Sequence, residues 1–83
     1  IMQCSIIIPV LNEYATINRH LDFFVSLVHK EHELIFVDGG SRDGTCELLA
    51  RHGFTVVSGK QGRAAQMNHG AYLATFDTLV FLH

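Results

Sequence analysis

Leu34-Ile35-Phe36-Val37-Asp38-Gly39-Gly40-Ser41-Arg42-Asp43-Gly44-Thr45 is the stretch that decides how this chain folds. Leu34 to Asp38 is a short apolar run, the pattern of a strand covered on both faces, and it closes on a carboxylate. Gly39-Gly40-Ser41 breaks the strand, and a short helix follows from about Gly44 to Arg51, with Ser41 or Asp43 placed to cap it. A buried strand that passes through a glycine turn into a helix is half of a βαβ unit.

The same alternation extends on both sides. Upstream, Ser5 to Val10 (SIIIPV) reads as a first buried strand, with Pro9 near its end where a ladder donor can be spared. Between the two strands, Thr16 to Lys30 predicts one amphipathic helix, because Ile17, Leu21, Phe24, Val25 and Val28 fall within an arc of about 100°. Downstream, Phe54 to Ser58 predicts a third strand, Gly59 to Gly62 a loop, Arg63 to Ala74 a helix of small residues, and Thr78 to Leu82 a fourth strand. Four strands and three helices in this order imply right-handed crossovers and an open parallel sheet with helices on both faces, a Rossmann-like α/β fold.

Composition narrows the function. Hydrophobic residues make up 48% of the 83 and charged residues 17%, so the chain can bury a core and is not a disordered tail. Eight acids against six scattered bases leave a net charge of -2 and no Lys/Arg stripe, which argues against nucleic acid as a partner. Cys4 and Cys46 are the only cysteines, without a C-x-x-C pair, so neither a disulfide framework nor a zinc knuckle is indicated. No apolar run approaches a membrane span. The chain reads as cytoplasmic, or peripheral at the inner face of a membrane, and its stop at His83 directly after an apolar run reads as a C-terminal truncation of a larger domain.

Parallel sheets bind ligands beyond the carboxyl ends of their strands, and the polar and glycine residues gather there: Leu11-Asn12-Glu13, then Asp38 to Thr45, then Gly59 to Arg63, then His83. A dinucleotide G-x-G-x-x-G is missing after the first strand, and Gly39 to Gly44 has P-loop spacing but carries Thr45-Cys46 where Lys-Ser/Thr is required. Asp38 is either an acceptor for a base or ribose hydroxyl or the cap of the Gly-Gly-Ser turn. Asp43, before Gly44-Thr45, reads as an N-cap or Asx-turn residue. Arg63 opens a helix after a glycine loop, a combination suited to phosphate, with a solvated arginine as the alternative. Gln66 and Asn68 are polar residues of that helix with no evident task. His29 and His32 form H-x-x-H, which matches no zinc motif and falls at the opposite end of the sheet.

Taken in order, SIIIPVLNE, LIFVDGGSRDGT, GRAAQMNHGA and LVFLH resemble the N-terminal, nucleotide-sugar-binding half of family 2 glycosyltransferases of the GT-A fold, and the likeness runs over essentially the whole chain. It implies that residues 1–83 are the donor-nucleotide-binding portion of a single transferase domain. By the same likeness Pro9 and Glu13 line the base pocket, Asp38 meets the base or ribose, and Gly62, Arg63 and Asn68 border the nucleotide and its diphosphate. At Gly39 the sequence departs from the family pattern, in which a second aspartate often follows the first, so one acceptor is lost.

The resemblance further implies a metal-dependent enzyme. A D-x-D-like carboxylate pair expected just after His83 would hold Mn²⁺ or Mg²⁺, and these residues contain neither that pair nor a catalytic base. The implied partners are a nucleoside diphosphate sugar, a UDP-sugar first, and a sugar, lipid or polysaccharide acceptor, in a monomer or a homo-oligomer. Two other readings compete: a non-catalytic nucleotide-binding or scaffold module, and a nucleotidyltransferase. The second of these is weakened by the absence of a Gly- and Arg-rich loop after the first strand.

Overall fold

The computed structural model describes residues 2–82. In chain order it contains β1 (Ser5–Val10), α1 (Tyr14–Arg19), α2 (Leu21–His29), β2 (Glu33–Asp38), α3 (Thr45–Arg51), β3 (Thr55–Ser58), α4 (Arg63–Leu73) and β4 (Leu79–Phe81). The sheet is fully parallel, with spatial order β3-β2-β1-β4. The predicted α/β class, the open parallel sheet and the four strands are all present.

Alternation along the central strands decides which face each side chain serves. Ile6, Ile8, Val10, Leu34 and Phe36 pack with Ile17, Leu48 and Leu49 on the face covered by α1, α2 and α3. Phe24, Phe36 and Phe54 add an aromatic cluster there, with ring centroids 5.3 to 6.4 Å apart and Phe24 edge-to-face against the other two. Ile7, Ile35 and Val37 face the other way, with Val57 and Ala74 against them. Here α4 lies close, since a Cβ on Gly70 would stand 2.5 Å from Cγ2 of Ile7. The small residues of that helix therefore permit its close approach to the sheet.

Pro9 is tolerated for a reason visible in the ladder. Ser5 N donates to Thr78 O, and Ile7 O accepts from Leu82 N, so the odd residues of β1 face β4. Pro9 is the next odd residue and lies past the last β1–β4 pair, Ile7 with Phe81, so no donor is required of it.

One element differs from expectation: the predicted single helix over 16–30 is two, divided at His20, so the described residues hold four helices instead of three. The His20 ring Nδ1 donates to Thr16 O at 2.8 Å and takes the carbonyl that the His20 amide would use in a continuous helix. That amide turns to Ile17 O instead. Beyond the break the phase shifts: Leu21, Phe24 and Leu27 meet the core, while Val25 and Val28 are 38% and 45% exposed.

Candidate functional site

Val10 pairs with Asp38 and Asp38 with Ser58, so three strands end at one level and their loops emerge side by side. From β1 the chain winds outward through β2 to β3, then crosses back by α4 to place β4 on the other side of β1. That reversal is a topological switch point, where open α/β sheets form their ligand crevice.

A cleft of about 370 Å³ opens there, lined by Pro9, Val10, Leu11 and Glu13 from the end of β1 and by Gln61, Gly62, Arg63 and Gln66 from the start of α4. Four of the expected site residues, Pro9, Glu13, Gly62 and Arg63, thus share one cavity. Arg63 is the first residue of an eleven-residue helix whose cap, Gly62, makes no side-chain cap bond and has φ of 132°, a backbone conformation that glycine adopts readily. The first amides of such a helix lack intrahelical partners and present partial positive charge. Asn68 is exposed and is not among the residues lining the cleft. His83, which closes the fourth sequence block, lies outside the described residues.

Asp38 is placed differently. By strand alternation it shares the face of Val10 and Phe36, on the α3 side, and it does not line the cleft. It is 4% exposed. Its Oδ2 accepts from the amides of Gly40 at 2.9 Å and Ser41 at 3.0 Å, so the turn-capping role is real. Its Oδ1 is buried without a hydrogen-bond partner. Burial raises the carboxyl pKa, but the Ser41 hydroxyl and the Ser41 and Gly40 amides outweigh it and hold Asp38 below the ordinary carboxylate value. The neighbouring Cys46 thiol responds in the opposite sense: burial, then the adjacent carboxylate, push it up to about 11.

Asp43 stitches two loops together. Its Oδ2 accepts from Tyr14 N at 3.0 Å, and its Oδ1 accepts from Thr45 N at 3.0 Å and from the Thr45 hydroxyl. The Thr45 hydroxyl, then the Tyr14 amide, hold its pKa below the ordinary value. Asn12, in the left-handed region at φ 52°, donates its amide to Ser41 Oγ at 2.8 Å and accepts from Arg42 N through Oδ1 at 2.7 Å. The loop after β1 is therefore held against the loop after β2 by side chains of both, which fixes Glu13 at the rim of the cleft.

Gln66 is the residue whose task the sequence does not reveal. It is 4% exposed, donates through Nε2 to Val10 O at 3.0 Å and Val37 O at 2.8 Å, and accepts from Gly62 N through Oε1 at 3.0 Å. Its partners lie 56 and 29 residues away along the chain, and no local pattern encodes them.

Among the described residues, no group of three or more His, Cys, Asp or Glu side chains is arranged to hold a metal ion. His32 instead accepts from Cys4 N through Nδ1, at 3.3 Å. No helix of the described residues is long and apolar enough to cross a membrane.

Residues 5–83 match Glycosyl transferase family 2. Among solved structures, the chain is similar to glucosyl-3-phosphoglycerate synthase from Mycobacterium tuberculosis in complex with Mn²⁺, UDP and glucosyl-3-phosphoglycerate. The identity is 30% and the TM-score 0.83, over 96% of this chain and 32% of that one. It is also similar to a mannosyltransferase from Pyrobaculum calidifontis in complex with GDP-mannose and Mn²⁺, at 26% identity and TM-score 0.75, over 88% of this chain and 24% of that one. The chain thus spans about a third or less of the length of these neighbours. None of the curated proteins matches it.

Proposed function

The chain belongs to glycosyl transferase family 2, and from that premise we propose that it forms the donor-nucleotide-binding part of an enzyme that moves a sugar from a nucleoside diphosphate to an acceptor. The observation that carries this reading is the cleft at the switch point, walled by the end of β1 and closed by Arg63 at the start of α4. A guanidinium beside unpaired helix amides suits a diphosphate, and the same groups would stabilise the charge that grows on the leaving diphosphate as the bond to the sugar breaks.

In this proposal Pro9 and Glu13 form the wall at the base end, and Gly62 and Arg63 hold the diphosphate, with Asn68 further along α4. Asp38 reaches the base or ribose only if the turn after β2 moves, since Oδ1, its oxygen without a hydrogen-bond partner, is buried and Asp38 does not line the cleft. Both neighbours hold nucleotides together with Mn²⁺, and by that likeness we extend dependence on a divalent cation to the whole protein. Among the described residues no group of three or more His, Cys, Asp or Glu side chains is arranged to hold it. A UDP-sugar is the donor we would test first, with a sugar, lipid or polysaccharide as acceptor.

The test is calorimetry of the full-length protein with UDP, GDP and uridine, with and without Mn²⁺, repeated on Arg63→Ala. Loss of the guanidinium should weaken UDP binding by about 1.5 to 3 kcal/mol and leave uridine almost unaffected, since only UDP carries the phosphate charge. Binding of neither nucleoside diphosphate would sink the proposal. Binding without sugar transfer to any acceptor would return the chain to the non-catalytic module.

A further inference from the structure

We infer that Gln66 is the positioning residue of the cleft, and that Gly39 lacks a side chain because Gln66 occupies its place. The inference rests on the donor-site reading above for its ligand, but its geometry stands alone. One amide group joins three separate segments: the carbonyl ending β1 at Val10, the carbonyl of Val37 near the end of β2, and the amide of Gly62 in the loop before α4. Its two N–H donors and its acceptor are all used, so the side chain has one orientation that satisfies every partner.

That bonding links the two ends of the cleft. Gly62 begins α4 at φ 132°, and its amide points into Gln66. With Gly62 held, the unpaired amides that follow it and the Arg63 side chain keep a fixed position relative to Pro9 and Val10 across the cleft. Without Gln66 the Gly62 end of the loop would lose its link to the sheet ends beside the cleft, while Gly59 N would keep its bond to Asp38 O and the sheet its own ladder.

Gly39 supplies the second, independent observation. It is buried and does not have a positive φ, so its backbone would accept alanine. A Cβ there would stand 2.8 Å from Gln66 Oε1, closer than real contacts allow, and 3.0 Å from its Cδ, tighter than most, so the Gln66 amide would have to give way. Any side chain at position 39 therefore displaces Gln66 from Gly62. The two positions form a matched pair, which explains in physical terms why this chain carries glycine there.

The experiment measures UDP and uridine affinity of Gln66→Ala, Gly39→Ala and the double variant in the full-length protein, together with amide hydrogen exchange. Each single variant should weaken UDP by roughly tenfold, as expected for the loss of one or two well-formed hydrogen bonds that fix a loop, and uridine by much less. The double variant should bind UDP no worse than Gln66→Ala alone, because the displaced group is already gone. The Gly62 amide should exchange faster in each variant while the amides of Ile7 and Phe36 keep their protection. Additive losses in the double variant, equal losses for both ligands, or an unchanged Gly62 amide would overturn the inference. If the unmodified protein binds no nucleotide, the donor-site reading fails and the exchange data judge Gln66 separately.

Discussion

Asp38 shows at the scale of one residue how a structural task and a proposed functional one would share a side chain. Oδ2 is spent on the Gly40 and Ser41 amides, and Oδ1 is buried without a hydrogen-bond partner beside a thiol whose pKa is about 11. Asp38→Asn retains an oxygen for the turn but removes the charge. Nucleotide binding by the full-length protein should weaken by about 1.5 to 3 kcal/mol with little change in Tm; an unchanged affinity with a large fall in Tm would leave only the turn-capping task. Cys46 gives a companion prediction. Since the thiolate is the reactive form, Cys46 should resist alkylation at pH 8, and labelling with iodoacetamide followed by peptide mapping should place the label on Cys4 first. The two readings of Asp38 were both legible in the sequence because the Gly-Gly-Ser turn is local. The orphaned Oδ1 was not, since it depends on packing against α3.

Among the elements, those fixed by a single local rule matched their predicted bounds most closely. Ser5–Val10 is a run of six residues buried throughout, and the strand occupies just those residues. The helix after it divides where the pattern predicts continuity, because a 100° period registers apolar positions and is blind to the His20 ring capturing the Thr16 carbonyl. Gln66 was equally hidden, standing among small residues with partners on two strands far away in the chain. The closeness of α4 to the sheet was foreshadowed by its small residues, and it carries a prediction. Gly70→Ala would set a Cβ 2.5 Å from Ile7 and 3.1 Å from Val37, both of them branched, fully buried core side chains. Overpacking of this kind should lower stability by about 1 to 3 kcal/mol, even though alanine is the better helix former. A rise in the urea midpoint, as helix propensity alone would give, would show that α4 can lift away from the sheet.

Across the molecule, the site lies at the carboxyl end of the sheet and a polar clasp lies at the other. Ser5 Oγ donates to Glu33 Oε1 at 2.6 Å, Thr75 N donates to the same oxygen at 2.9 Å, and Phe76 N donates to Ser5 Oγ at 3.1 Å. β1, β2 and the connection from α4 to β4 are thereby held at one point, which secures the crossover that creates the switch point. Burial raises the Glu33 pKa, but the Ser5 hydroxyl and the Thr75 amide outweigh it, and the net value falls below the ordinary 4.5. A group whose pKa is depressed on folding stabilises the fold above its unfolded value, and that contribution is lost as the pH falls through the folded value. Glu33→Gln should therefore cost about 1 kcal/mol at pH 7, a figure reduced for solvent screening of a half-buried group, and the difference from the unmodified protein should shrink below pH 4.5 as Glu33 itself becomes neutral. Asp38 and Asp43 also titrate in acid with depressed values, but they are common to both proteins and cancel in the difference. Urea unfolding at pH 7 and at pH 3.5 checks this directly, and an equal gap at both would mean that Glu33 holds the clasp by shape and not by charge.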